Sequence, residues 1–141
     1  MNSNRWRIAG LVLAGLAALL FWSELIFSVA SSLIDVATPA EQLGWSLSST
    51  RLYFIGLGLL DLIGGVFAII YLIRSRRSAA GVNATSAALG LVITLLVYGV
   101  YQFSIAFALP QSLQGLYWGI GSAYVIMGLV LRFISSRQGK S

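Results

Sequence analysis

The chain has 141 residues, of which 58% are hydrophobic and 9% are charged. Soluble domains carry about 25% charged residues, so these polar side chains are too few to cover a globule in water, and we expect an integral membrane protein. The net charge of +5 comes from basic residues at the ends of apolar segments, which argues against a nucleic-acid-binding surface.

Catalytic and metal-binding residue types are scarce. The chain contains no cysteine and no histidine, which excludes thiolate metal sites and histidine-ligated haem within it. Lys140 is the only lysine, and the four carboxylates have no obvious nucleophile beside them. We therefore predict that the protein is not an enzyme and holds no cofactor and no metal.

The first apolar segment, residues 8–29, is long enough to cross a bilayer and follows two arginines, Arg5 and Arg7. The longest polar segment, residues 30–51, comes next. It contains the sequence TPAE, starting at Thr38, which has the form of a capping box with proline at the first helical position.

This pattern predicts a short helix over residues 39–47. Two placements are compatible with it, an ordinary exposed loop helix and a helix lying at the membrane interface. In the interfacial placement three apolar side chains enter the headgroup layer: Leu43, Trp45 and Leu47.

Three further spans follow. The second covers residues 52–73 and ends at an arginine cluster, and residues 78–85 form a small, polar turn. The third covers residues 86–109 and ends before Pro110, and the fourth covers residues 116–134. The predicted fold class is therefore all-α, a single integral membrane domain with a bundle of four transmembrane helices.

Basic residues concentrate at one end of these spans, and Arg51 alone falls at the other. The positive-inside rule then places both termini in the cytoplasm, and we expect a bacterial inner membrane. Aromatic residues near the two interfaces are interpreted as the usual belts. They are Trp6 and Tyr71 on the inner side, and Trp45, Tyr53 and Trp118 on the outer side.

The sequence also suggests an internal repeat. Residues 19–33 match residues 95–109 at six of fifteen positions with an offset of 76, and residues 52–54 resemble residues 116–118 with an offset of 64. The difference corresponds to a longer first outer loop. The chain is thus a possible duplication of a two-helix hairpin, with the two copies parallel, although Leu-rich segments also match by chance.

Polar residues within the spans define a candidate site. Charged residues at membrane depth usually face the bundle interior. At ~1.5 Å rise per residue, Asp61 lies roughly 13 Å below the outer end of its span, and Glu24, Gln102 and Ser122 lie at a similar depth. The candidate intramembrane polar site consists of Glu24, Asp61, Tyr98, Tyr101, Gln102, Ser122 and Tyr124.

Small residues recur at helical spacing on the same spans and predict close helix packing, because they let backbones approach where no water drives association. The predicted packing glycines are Gly58, Gly64, Gly65, Gly90, Gly115, Gly119, Gly121 and Gly128.

Two functional interpretations follow. The first is a non-catalytic accessory or structural subunit that packs against another integral membrane protein or against itself, with Asp61 and Glu24 locking the bundle through hydrogen bonds. The second is a small proton- or cation-coupled transporter of hydrophobic or cationic compounds, in which the same two carboxylates are the coupling groups. An unpaired charge at this depth costs at least ~2.5 kcal/mol, so a bound partner is expected in either case.

Overall fold

The computed structural model describes residues 3–77 and 85–138, all of which lie in helices or in the short turns between them. α1, Ser3–Val29, continues into one π-helical turn, Ala30–Ile34. The remaining helices are α2 (Ala37–Leu43), α3 (Leu47–Arg77), α4 (Thr85–Ala106) and α5 (Gln111–Gln138). The predicted turn at residues 78–85 lies almost wholly outside the described residues.

Four of these helices, α1, α3, α4 and α5, are long and apolar enough to cross a membrane. The prediction of an all-α, integral membrane four-helix bundle is thereby confirmed. α1 packs mainly on α3 and α4 mainly on α5, and contacts between α3 and α4 and between α1 and α5 close the bundle.

The two ends of the bundle differ. At one end, here called the terminal end, Trp6 near the start of α1 contacts Phe133 near the end of α5, with ring centroids 5.4 Å apart. At the other, here called the α2 end, the Trp45 Nε1–H donates to the carbonyl oxygen of Ala108 at 3.0 Å. This bond fastens the α2–α3 connection to the turn between α4 and α5.

The long helices extend beyond the predicted spans at most ends because polar residues continue them past the apolar segment. The exception is α4, which ends at Ala106 and not at residue 109 as predicted. The residues after Ala106 form tight turns, in which the Leu109 N–H donates to the Ala106 carbonyl at 3.2 Å. Pro110 follows, and the residue before a proline is disfavoured in a helical conformation.

The capping box predicted at Thr38 is wrong, because Thr38 lies inside α2. Asp35 takes the capping role, since its Oδ1 accepts a hydrogen bond from the Thr38 N–H at 3.2 Å. Hydrogen bonds from the Thr38 side chain and backbone hold the pKa of the exposed Asp35 carboxyl below its usual value. Gly44 caps the end of the helix with a φ of 72°. This left-handed backbone conformation is sterically unfavourable for residues with a Cβ but not for glycine.

The three apolar side chains predicted to enter the headgroup layer have different surroundings, and Leu47 is 57% exposed. Leu43 is 4% exposed and packs in the protein core. Trp45 is bonded to Ala108, and Leu47 begins α3. α2 therefore closes the α2 end of the bundle with its apolar residues directed at the protein.

The internal repeat is not supported in its predicted register. With the offset of 76, Leu19 aligns with Leu95, yet Leu19 is 69% exposed and Leu95 is fully buried. Leu33 and its equivalent Leu109 differ in the same way, at 72% and 6% exposure. A register that brings identical residues onto opposite helix faces does not describe equivalent positions in the two hairpins.

Glycines permit the close helix contacts inside the bundle. A Cβ on Gly64 would lie 2.6 Å from the ring of Phe21, and one on Gly121 would lie 2.7 Å from the Gly99 carbonyl oxygen. The outer surface, in contrast, presents large apolar side chains such as Ile26, which is 74% exposed. This arrangement suits lipid, where small residues bring helices together and no aqueous solvent favours polar exteriors.

Candidate polar site

Glu24 lies where three helices meet. It projects from α1, and its Oε2 accepts a hydrogen bond from the Tyr98 hydroxyl of α4. Its Oε1 accepts a hydrogen bond from the Tyr124 hydroxyl of α5 at 2.8 Å. The Tyr98 and Tyr124 rings lie against each other with centroids 4.2 Å apart, so one carboxyl group and two phenols join α1, α4 and α5.

Asp61 brings α3 into the same cluster. It is fully buried, and its Oδ2 accepts a hydrogen bond from the Ser28 hydroxyl of α1 at 3.1 Å. Its Oδ1 is buried and accepts no hydrogen bond from a donor on the described residues. Asp61 and Glu24 are close enough to interact electrostatically. All four long helices thus contribute to one polar cluster.

Hydrogen bonds extend this cluster toward the α2 end. The Gln102 Nε2 donates to the Tyr98 hydroxyl oxygen at 3.3 Å, and the Gln102 Oε1 accepts from the Tyr53 hydroxyl at 2.5 Å. Tyr101 stacks on Tyr53, with the ring planes 2° apart, and its hydroxyl donates to the Tyr53 carbonyl oxygen at 3.0 Å. These bonds satisfy Gln102 without using any charged residue.

A small cavity of about 130 Å³ adjoins the cluster. Its polar lining comes from Glu24, Ser28, Tyr53, Tyr98, Gln102 and Tyr117. A larger and more open groove of about 580 Å³ lies at the α2 end, between Trp45, Leu52, Tyr101 and Ile105. Tyr53 lines both, so its side chain separates the groove from the cavity.

Most of the predicted polar residues meet here, but two need comment. Ser122 is exposed on the outer surface of α5 and takes no part in the cluster. Tyr101 contacts the Tyr53 backbone and neither carboxyl group. α5 turns Tyr124 inward, and a residue two positions away points in nearly the opposite direction at about 100° per residue.

Three polar residues of the site were not predicted as site residues, and one of them, Tyr117, lines the cavity. Tyr53 was assigned to the aromatic belt, yet it is 4% exposed and bonded to Gln102. Ser28 was not assigned to the site, yet it bonds Asp61. The i to i+4 spacing of Glu24 and Ser28 was the available signal for Ser28, since residues four apart share a helix face.

Among the predicted packing glycines, six lie against a neighbouring helix and two do not. The six that meet side chains or backbone are Gly58, Gly64, Gly65, Gly90, Gly121 and Gly128. Gly115 and Gly119 are exposed and have open space where a Cβ would be. Gly99, which was not predicted, packs against Gly121.

The cluster has no built-in positive charge and no metal-binding constellation. No arginine or lysine pairs with Glu24 or Asp61 within residues 3–77 and 85–138, and no group of three or more metal-ligating residues occurs there. The basic residue closest to Asp61 in sequence is Arg51. Its Nε–H donates to the Ser32 carbonyl of the π-helical turn at 3.2 Å.

Comparison of the chain with protein-family models, curated proteins and solved structures found no significant match.

Proposed function

We propose that this protein is a non-catalytic integral membrane subunit that packs through an exposed face of α5 within a homo-oligomer or a larger membrane complex. The observation that supports this proposal is a set of small residues at helical spacing on that face, called here the α5 small-residue face. It consists of Ser112, Gly115, Gly119, Ser122 and Ala123, all of them exposed.

The α5 small-residue face differs from the rest of the exterior. Elsewhere the surface presents large apolar side chains, such as Leu59 at 57% exposure on α3. A Cβ at Gly115 or Gly119 would meet nothing within 4 Å in the part of the chain that the structure describes, so packing inside the bundle does not require glycine at these positions. Small-xxx-small patterns allow close helix association in lipid, and glycine otherwise weakens a helix by about 1 kcal/mol relative to alanine.

Disulfide cross-linking in membranes tests the proposal in a chain that has no native cysteine. We expect Ser122→Cys to form a disulfide-linked dimer on oxidation if the partner is a second copy. Gly119→Leu added to this variant should abolish the cross-link, because the leucine would hold the helices apart. For a different partner, a photo-cross-linker at Ser122 should give an adduct of another mass.

Leu59→Cys is the matched control, since it lies at a similar distance along its helix from the α2 end and faces outward. Equal cross-linking at the two positions would indicate random collision. A chain that gives no adduct at Ser122 would contradict the proposal.

A second candidate function is proton-coupled transport, and the observation that favours it is the buried, unpartnered Oδ1 of Asp61. The adjoining cavity of about 130 Å³ is well below the roughly 300–1,000 Å³ of ligand pockets, so the space beside the carboxyl pair accommodates no drug-sized compound. Transport requires another state of the bundle. Asp61→Asn should then abolish flux in proteoliposomes while the bundle still assembles, and unchanged flux would contradict it.

A further inference from the structure

The buried carboxyl group of Asp61 lacks a partner on one side. The side chain is 0% exposed, and Ser28 satisfies only its Oδ2. A buried polar atom without a hydrogen bond costs about 1–3 kcal/mol, and more when the group is charged. The position of Oδ1 therefore requires either a bound species or a proton.

The groups around Asp61 supply hydrogen bonds but no positive charge. Ser28 of α1 donates a hydrogen bond to it, and Glu24 of α1, Tyr98 of α4 and Tyr124 of α5 are close enough to interact with it electrostatically. Both tyrosine hydroxyls are committed to Glu24. Two carboxylates side by side in a low-dielectric site cannot both be ionised without a cation, so the pair must take up at least one positive charge.

A metal ion is poorly matched to this site. Hard cations such as Ca²⁺ take six to eight oxygen ligands. Here Asp61 Oδ1 is the one carboxyl oxygen of the pair that accepts no hydrogen bond, and the phenols present their hydrogens to Glu24. A proton needs only two oxygens, one to carry it and one to accept it, which is what the Asp61 and Glu24 carboxyl groups provide.

A cavity that could hold water adjoins the pair on one side. It has a volume of about 130 Å³, is lined by Glu24 and Ser28 and could hold about four waters at ≈ 30 Å³ each. Toward the terminal end the next layer is apolar and closed, because Phe21 and Leu95 are fully buried and the Phe21 ring fills the space beside Gly64. Water that exchanges a proton with the pair would therefore lie on the α2 side.

We propose that Asp61 and Glu24 form a proton-binding site that holds one shared, exchangeable proton between their carboxyl groups. The site adjoins the cavity of about 130 Å³ that Glu24 lines. The proton lies between the Asp61 Oδ1 and a Glu24 carboxyl oxygen. The phenols of Tyr98 and Tyr124 stabilise the ionised partner. The site does not depend on the packing function proposed above, and it supplies the coupling group that transport would need.

Infrared spectroscopy of the full chain in lipid nanodiscs at neutral pH tests this site. The wild type should show the carbonyl band of one protonated carboxylic acid per chain, and the band should shift in D₂O. Asp61→Asn should lose the band, because the asparagine amide can donate to Glu24 and keep it ionised. Glu41→Gln, at an exposed position of α2, should leave it unchanged.

Ser28→Ala provides a second measurement that retains both carboxyl groups. Since Ser28 donates to Asp61 Oδ2, this variant should change the band frequency without removing the band, and it remains informative if Asp61→Asn does not fold. A band that is absent from the wild type, that persists in Asp61→Asn or that is unaffected by Ser28→Ala would overturn the proposal.

Salt exchange separates the proton from a metal cation. Replacing choline chloride with sodium, potassium or calcium chloride should leave the band intact, whereas loss of the band on addition of one of these ions would assign the site to that ion. Transport flux in proteoliposomes is a separate measurement. A chain that binds the shared proton but transports nothing would support the proton-binding site and contradict the transport function.

Discussion

Individual side chains in this bundle matter chiefly through hydrogen bonds, because the interior contains few groups that can replace a lost partner. Tyr98 combines two hydrogen bonds with two ring contacts. Its hydroxyl donates to Glu24 and accepts from the Gln102 Nε2 at 3.3 Å, while its ring contacts Phe21 and Tyr124. Within the described residues, the Tyr124 hydroxyl makes one hydrogen bond, which it donates to Glu24 at 2.8 Å.

The difference between the two tyrosines predicts unequal effects of removing the hydroxyl. Tyr98→Phe should destabilise the bundle by about 1–3 kcal/mol, because it leaves a buried amide hydrogen of Gln102 unpartnered and takes one donor from Glu24. Tyr124→Phe should cost about 0.5–1.5 kcal/mol, the net value of one hydrogen bond.

Equilibrium unfolding in mixed detergent micelles would measure both variants. The isosteric replacement keeps each ring, so packing is unchanged and the comparison isolates the hydroxyls. An effect of Tyr124→Phe equal to or larger than that of Tyr98→Phe would contradict the assigned network.

At the scale of the helix, close contact between α4 and α5 depends on two facing glycines. A Cβ on Gly121 would approach the Gly99 carbonyl oxygen to 2.7 Å and the Phe103 backbone nitrogen to 2.9 Å. These are backbone atoms, which cannot rotate away as a side chain can. The second hairpin is therefore held at a separation that only glycine permits.

Gly121→Ala should separate α4 from α5 and destabilise the protein by about 1–3 kcal/mol, as overpacking does in well-packed interiors. Gly15→Ala is the control, since a Cβ there meets nothing within 4 Å, and this variant should be neutral or slightly stabilising because alanine is the better helix former. Thermal unfolding in one detergent would measure both. Equal melting temperatures for the two variants would show that the contact is not tight.

Considered as a whole, the molecule has an uneven distribution of charge along the bundle axis. Seven arginines of the described helices lie near the terminal end, and Arg51 lies at the α2 end beside the π-helical turn. The seven are Arg5, Arg7, Arg74, Arg76, Arg77, Arg132 and Arg137. Four spans bring both termini to one side, and the excess of arginine predicts that this side is cytoplasmic.

Cysteine accessibility in intact bacterial cells would test this orientation. A membrane-impermeant maleimide should label Gln111→Cys, at the exposed α2 end, without permeabilisation. Ser136→Cys, near the terminal end of α5, should be labelled only after the cells are permeabilised. The reverse pattern would show that the charge distribution does not set the orientation.

Composition and periodicity were sufficient to predict the class of structure. Long apolar segments must become helices in a bilayer, because every backbone polar group there has to be satisfied within its own segment. The same reasoning predicted that Asp61 and Tyr98 face the interior of the bundle. It could not fix the residue at which α4 ends, the group that caps α2 or the side of α5 on which Ser122 lies.

Those features depend on tertiary contacts. Apolar residues occur on every side of the long helices, so their pattern, unlike that of the few polar residues, carries little signal about which face meets protein and which meets lipid. Leu19 and Leu95 are identical residues in similar segments, yet one is 69% exposed and the other fully buried. Helix rotation is set by the fit of Phe21 against Gly64 and of Gly99 against Gly121, and this rotation places Asp61 beside Glu24.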